Sequence, residues 1–167
     1  MARVYRIPEF DRVTEIVKDF TNGFAACDVV FGTVNMCHVA DDGKVTIMYS
    51  TPRAVNGDYD DFAFNFISRY PRCAVLSQIT LSILHEIGHM VNKESMTQYD
   101  AKLVTTKEEY FDLPNEKIAT DWAGNFASKN LQFCLDFDTK LNSAILRAHM
   151  TFTDRERMRI ALDFASK

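Results

Sequence analysis

Apolar residues recur through residues 73–93 (CAVLSQITLSILHEIGHMVNK) at spacings of three and four, at Leu76, Ile79, Ile83, Ile87 and Met90. That period is helical and places the five side chains on one face. Gln78, Ser82, His85 and His89 gather on another side, while Leu81 and Leu84 widen the apolar surface. The segment therefore predicts a helix central to the fold. A second amphipathic helix is predicted over 8–22, with Phe10, Val13, Val17 and Phe20 as its stripe, Pro8 in its first turn and Gly23 at its end. Residues 27–39 (CDVVFGTVNMCHV) are rich in β-branched and apolar types and read as a strand. Asp41-Asp42-Gly43 signals a turn, and Lys44–Ser50 alternates like the return strand of a hairpin. A loop containing Asn56-Gly57 runs from Pro52 to Asp61, and a short helix over Asp61–Arg69 stops before Pro71.

Beyond the central helix, residues 94–112 are polar, mixed in charge and weakly periodic. They predict a connection with a short helix near Lys107–Phe111. Pro114 opens a second strong helix to about Asn130, and another follows near Thr139–Met150. Thr153 and Glu156 then read as a capping box that starts a last helix carrying Met158, Leu162 and Ala165. Helices bracketing one hairpin predict an α+β class, mostly helical with a small β-hairpin or sheet. The 167 residues suit a single domain spanning 1–167, and no repeat or boundary divides them.

Composition removes several classes of function. At 47% hydrophobic and 25% charged residues, the composition is ordinary for a soluble globular protein. A net charge of −4 without a lysine or arginine stripe argues against direct binding of nucleic acid, which rests on neutralising phosphates. Arg155, Arg157 and Arg159 are interrupted by Glu156 and read as a solvated helix face. No run approaches the ~18 apolar residues of a membrane span, and the opening MARVYRIPEFDR lacks the apolar core of a signal peptide. Cys27, Cys37, Cys73 and Cys134 form no C-x-x-C pair, so they read as reduced thiols in a cytoplasmic protein.

The chemistry concentrates in His85-Glu86-Ile87-Gly88-His89, an H-E-x-x-H motif on the central helix. Histidines four apart project one turn above each other, so both imidazoles can hold one divalent metal at ~2.0–2.1 Å. Glu86 lies about 100° round the helix, where it flanks the metal and can take a proton from a metal-bound water. A catalytic zinc site needs a third protein ligand. The extended motif with Gly and a third His fails, because Asn92 and Ser95 stand at those positions. Glu116 is the best candidate, since Ala119, Thr120, Ala123 and Ala127 share its helix face and would let that helix approach closely. Trp122 and Phe126 on the adjoining face can anchor it. Asp121 points about 140° away from Glu116, and His149 and His38 remain weaker options.

His85-Glu86-Ile87-Gly88-His89 followed by Glu116-x-x-Ala119-x-x-Trp122-Ala123 resembles the ImmA/IrrE family of intracellular metallopeptidases, whose pattern is H-E-[LI]-G-H and then E-x-x-A-x-x-F-A. The resemblance covers roughly residues 8–130, through the order of helix, hairpin, motif helix and glutamate helix. It implies a minimal zincin-like domain in which His85, His89 and Glu116 hold Zn2+ and Glu86 is the catalytic acid and base. It also implies a protein or peptide substrate, since members often cleave transcriptional repressors. Two departures stand out. Thr80-Leu81-Ser82-Ile83-Leu84 enters the motif where members commonly have Phe-Thr-x-Ala, and no helix-turn-helix domain accompanies it. The thermolysin-like pattern is not met, since Thr120 stands where it has Asp.

These readings predict a zinc-dependent peptidase that cleaves an intracellular regulatory protein; the alternative is a zinc-binding structural or interaction domain without turnover. The Lys44–Ser50 strand is a candidate edge for an extended substrate. Tyr49, Tyr99, Tyr110 and His149 are candidate oxyanion donors among which the sequence does not choose.

Overall fold

The computed structural model of the protein describes residues 8–24, 28–31, 36–39, 45–49, 60–92 and 104–166, the three short middle segments as backbone only. These residues are mostly helical. In chain order they form α1 (Asp11–Asn22), α2 (Asp61–Arg69), α3 (Gln78–Val91), α4 (Lys107–Phe111), α5 (Pro114–Lys129) and α6 (Leu131–Ala165). Single turns of 3-10 helix, Pro8–Phe10 and Pro71–Val75, precede α1 and α3.

Three short strands, β1 (Asp28–Phe31), β2 (Met36–Val39) and β3 (Val45–Tyr49), make a sheet of order β1-β3-β2. β3 runs parallel to β1 and antiparallel to β2, with Ile47 opposite Val29 on one side and Cys37 on the other. Two expectations are corrected here. Residues 27–39 do not form one strand, because β1 and β2 run in opposite directions along β3. Nor is the Lys44–Ser50 strand an edge. It has a neighbour on each side, so its backbone donors and acceptors face partners already and no peptide can add there. The turn at Asp41-Asp42-Gly43, the Asn56-Gly57 loop and residues 94–103 lie outside the described residues.

α3 is buried on every side from Ile79 to Ile87 apart from Ser82, because each of its faces meets a different neighbour. Ile79, Ile83 and Ile87 pack with Phe10, Val13, Ile16 and Val17 of the N-terminal segment and with Phe137, Leu141 and Ile145 of α6. Leu81 and Leu84 turn to a second core with Ala63 and Phe66 of α2, Ala123 and Ala127 of α5, and Cys134. The helix also packs on β2 and β3, but its most extensive helical partner is α5. Its first turn is held from outside. Ser77, the residue before α3, makes no side-chain cap of its own. Asp138 of α6 takes that place, accepting from the Ser77 N–H (3.1 Å) and from the Ser77 and Thr80 hydroxyls. A carboxylate there satisfies donors that the helix start leaves free and lies at the positive end of its dipole.

α6 is one continuous helix of 35 residues, not the two helices expected on either side of Met150. The hydroxyls of Thr151 and Thr153 donate back to the carbonyls of Arg147 (3.0 Å) and His149 (2.9 Å), one turn earlier. Thr153 is thereby absorbed inside the helix and caps nothing. A capping box does form before α4, where Thr106 and Glu109 exchange backbone and side-chain hydrogen bonds. Arg157 and Arg159 are exposed and pair within the helix, as a solvated face would. Arg155 differs, for it reaches Glu9 at 2.7 Å and ties α6 to the turn before α1.

Glycine sets the distance between α3 and α5. A Cβ on Gly88 would collide with the carbonyl oxygen of Ala119 and stand 2.9 Å from its Cα. Both are backbone atoms, so relief requires moving a whole helix. Gly23, at the end of α1, has ordinary right-handed helical geometry (φ −66°), and a Cβ there meets only the Phe20 carbonyl at 3.3 Å. Gly88→Ala should therefore destabilise the protein by about 2–3 kcal/mol or more, and Gly23→Ala by less than about 1 kcal/mol. Urea unfolding of the two variants checks this contrast; equal and small losses would show that α5 does not rest on Gly88.

Candidate metal centre

The close approach of α5 brings its first turn against the second half of α3. His85 and His89 project from α3 one turn apart, and Glu116 projects from the first turn of α5. All three side chains are buried, with 5%, 7% and 7% of their residue surface exposed. Polar groups this buried need partners, and they find them in one another. His85 Nε2 lies 3.0 Å from Glu116 Oε2 and 3.1 Å from His89 Nε2, while His89 Nε2 lies 3.6 Å from Glu116 Oε1.

Those separations fit a metal. Donor atoms placed at ~2.0 Å from a tetrahedral ion stand ~3.3 Å apart, and zinc sites built on two histidines and a glutamate keep the fourth position open. Among the described residues, His85, His89 and Glu116 are the cluster of candidate ligands with atoms all within 4.8 Å of one another. The donor set is of the nitrogen and oxygen type that zinc accepts, and it also suits manganese or iron.

The surroundings orient each donor. His85 Nδ1 is 3.0 Å from the Thr120 hydroxyl, one turn along α5 from Glu116. For Nε2 to offer its lone pair to a cation, Nδ1 must carry the ring proton and donate it to Thr120 Oγ1. The ring of Phe62 on α2 stands edge-on to His85, with centroids 5.0 Å apart, and closes one flank with an apolar wall. Asn115 donates from Nδ2 to Glu116 Oε1 at 3.2 Å. Burial pushes the Glu116 carboxyl up, but hydrogen bonds from His85 and His89 and the charge of their rings outweigh it and hold the group well below the ordinary carboxylate range. Burial first, and then the negative charges of Glu116 and Glu86, hold the Tyr110 phenol above its usual value. Glu86 is buried on α3 at 8% exposure, beside the cluster and outside the group of converging atoms.

The residues weighed as rival ligands go elsewhere. Asp121 accepts from Tyr70 at 2.7 Å and pairs with Arg69, which fixes α5 to the end of α2. His149 lies on α6, outside the converging group. The side chains of His38 and Tyr49, and all of Tyr99, lie outside the described residues. Cys73 and Cys134 are buried free thiols in the second core, pushed above their usual values first by burial. Sequence reasoning missed Thr120 as the partner of His85, although its position one turn after Glu116 puts it on the same face. It also missed Gly88 as the point of helix contact and Asn115 as a hydrogen-bond partner of Glu116.

No protein-family model, curated protein or solved structure matches the chain. The geometry by itself therefore defines the class of site: a buried two-histidine, one-carboxylate centre able to hold a divalent cation.

The depressed Glu116 value has a consequence for the metal-free protein. A carboxylate whose folded value is lowered contributes stability above the ordinary carboxylate range, and that contribution is lost as pH falls toward the folded value. Urea unfolding at pH 7 and pH 4 should show this acid slope in the wild type and a shallower one in Glu116→Gln. Identical slopes would mean that the histidines do not hold Glu116 in its charged form.

Proposed function

We propose that the protein is a zinc-dependent peptidase acting inside the cell, with His85, His89 and Glu116 as metal ligands and Glu86 as the catalytic base and acid. The observation that carries the reading is the convergence of those three donors at 3.0–3.6 Å beside a fourth buried polar residue from the same helix turn. A structural zinc site needs four protein ligands. Here three converge among the described residues, and the residue next to His85 is a carboxylate, the group needed to move a proton.

When bound, zinc supplies a Lewis acid that polarises a carbonyl and brings the pKa of a water down to ~7. The chain's own residues do the rest. Thr120 keeps the proton on His85 Nδ1 and so leaves Nε2 as a ligand. Glu116 contributes negative charge that offsets the cation. Glu86, one position along α3 from His85, accepts the proton of the attacking water and delivers it to the leaving amine of the scissile bond. Phe62, edge-on to His85, covers one flank of the centre and keeps bulk water from that side.

The resemblance of His85-Glu86-Ile87-Gly88-His89 and the Glu116 helix to ImmA/IrrE metallopeptidases supports the same reading, and with it a minimal zincin-like fold and a regulatory protein as substrate. Gly88 gives that likeness a physical content, because the small residue inside the motif is what lets the glutamate helix reach the histidines.

Glu86→Gln separates catalysis from binding. Purified wild type loaded with zinc should cleave members of a proteome-derived peptide library, read as new termini by mass spectrometry. Glu86→Gln should keep one equivalent of zinc and lose cleavage by about 100-fold or more. Chelation should abolish wild-type cleavage, and added zinc should restore it. A wild type that holds zinc but cleaves nothing, or a variant that cleaves equally well, would instead assign the centre a structural or interaction role.

A further inference from the structure

α6 outruns the body it packs on. Its buried residues, Cys134, Phe137, Leu141, Ile145 and Ala148, follow one stripe that ends at Ala148. Phe152 still packs against the first core, and Arg155 bonds Glu9. Among the described residues, none of α6 beyond Arg155 bonds another element; its remaining ion pairs stay within the helix. A helical extension in water is expected to be polar all round. This one carries Ile160, Leu162 and Phe164, all exposed.

The exposed positions have an order. Leu146, Met150, Thr153, Arg157, Ile160 and Phe164 follow one another at steps of 4, 3, 4, 3 and 4. That is the spacing of a coiled-coil seam. At about 100° per residue all six lie within ~40° of Leu146, whereas the buried stripe lies ~100–180° round the helix. The seam therefore looks away from the body. Its four apolar members are each more than half exposed, Phe164 at 79%. At the two central positions, the Thr153 hydroxyl already donates to the His149 carbonyl at 2.9 Å. Arg157 has only Asp154 of its own helix, at 4.0 Å, and both are exposed.

The seam is self-complementary when reversed. Leu146 at one end matches Phe164 at the other, Met150 matches Ile160, and Thr153 matches Arg157. Two copies laid antiparallel in that register put apolar residues on apolar residues and set Arg157 of each beside Thr153 and Asp154 of the other. A parallel pair would stack Arg157 on Arg157. We propose that this face of α6 binds a second copy of the chain, as an antiparallel coiled coil whose two-fold axis passes midway between Thr153 and Arg157. The interface is isologous, and its polar central layers fix the register at some cost in stability. Because the seam lies opposite the buried stripe, the two bodies stand on the outer sides of the helix pair and do not obstruct it. The pairing does not depend on the metal-centre reading.

Analytical ultracentrifugation of the whole protein at micromolar concentration should give twice the mass of the chain. The double variant Ile160→Glu, Phe164→Glu should associate about 100-fold or more weakly while keeping the near-ultraviolet dichroism of the wild-type core. Leu162 is comparably exposed, at 65%, but lies off the seam; Leu162→Glu should leave the dimer intact. For the orientation, a mixture of Thr153→Cys and Arg157→Cys proteins should give on mild oxidation a mixed disulfide between the two positions, identified by mass spectrometry, in preference to either self-pair. A monomeric wild type would overturn the proposal, including one that sediments instead with phosphatidylglycerol vesicles, which would assign the face to a lipid surface. A dimer indifferent to the double variant, or lost equally in Leu162→Glu, would overturn the seam. Self-paired disulfides in place of the mixed one would overturn the antiparallel register.

Discussion

The approach of α5 to α3 at Gly88 and Ala119 brings Glu116 to the two histidines of the candidate metal centre. A helix normally keeps its neighbour 8–10 Å away, axis to axis, because side chains stand between them. Here one side has no side chain at the contact and the other has Ala119, with Ala123 and Ala127 buried further along α5. The first turn of α5 can therefore lie against the last turns of α3, and a glutamate on one helix can reach two imidazoles on the other. The same contact serves folding and chemistry. Its small residues bury little area themselves, so the stability of the arrangement comes from the two hydrophobic cores on the remaining faces of α3.

Burying two imidazoles, Glu116 and Glu86 in that contact is costly unless each is compensated. The cluster is built so that compensation is mutual. Glu116 faces both histidines, His85 faces Thr120, and Asn115 faces Glu116. A divalent cation would replace the donor-to-donor contacts by metal–ligand bonds without moving the helices, because the spacing already matches a tetrahedral ion. Polar residues gathered within an otherwise apolar core are an expense that a merely structural helix pair would avoid. The rest of the core supports this placement: Asp138 fixes the start of α3, and Asp121 with Arg69 and Tyr70 fixes α5 beside α2.

Much of this was legible in the sequence, and the limits of legibility are physical. Periodicity located α3, since helix geometry dictates which residues share a face. Pro114 marked the start of α5, and small residues on the face of Glu116 pointed to close packing before any contact was visible. Asp61–Arg69 and Lys107–Phe111 also stand where local signals put them. Signals that depend on a choice between local and distant partners read less well. Thr153 looked like a cap but bonds back into its own helix, so α6 runs on unbroken. Residues 27–39 carry one strand-like composition, yet nothing in it encodes that β1 and β2 lie in opposite directions along β3. Thr120 reaches the centre only through a tertiary contact. A hydroxyl one turn from Glu116 does not announce a partner 35 residues away.

The central claim is that two imidazole nitrogens and one carboxylate oxygen converge on a single cation with a position left over. X-ray absorption at the zinc edge, on protein loaded with one equivalent of zinc, measures that shell directly. The predicted result is four nitrogen or oxygen neighbours at ~2.0–2.1 Å, with the multiple-scattering signature of two imidazoles, falling to one in His89→Ala. A shell containing sulfur at ~2.3 Å, or one with no imidazole signature, would contradict the account.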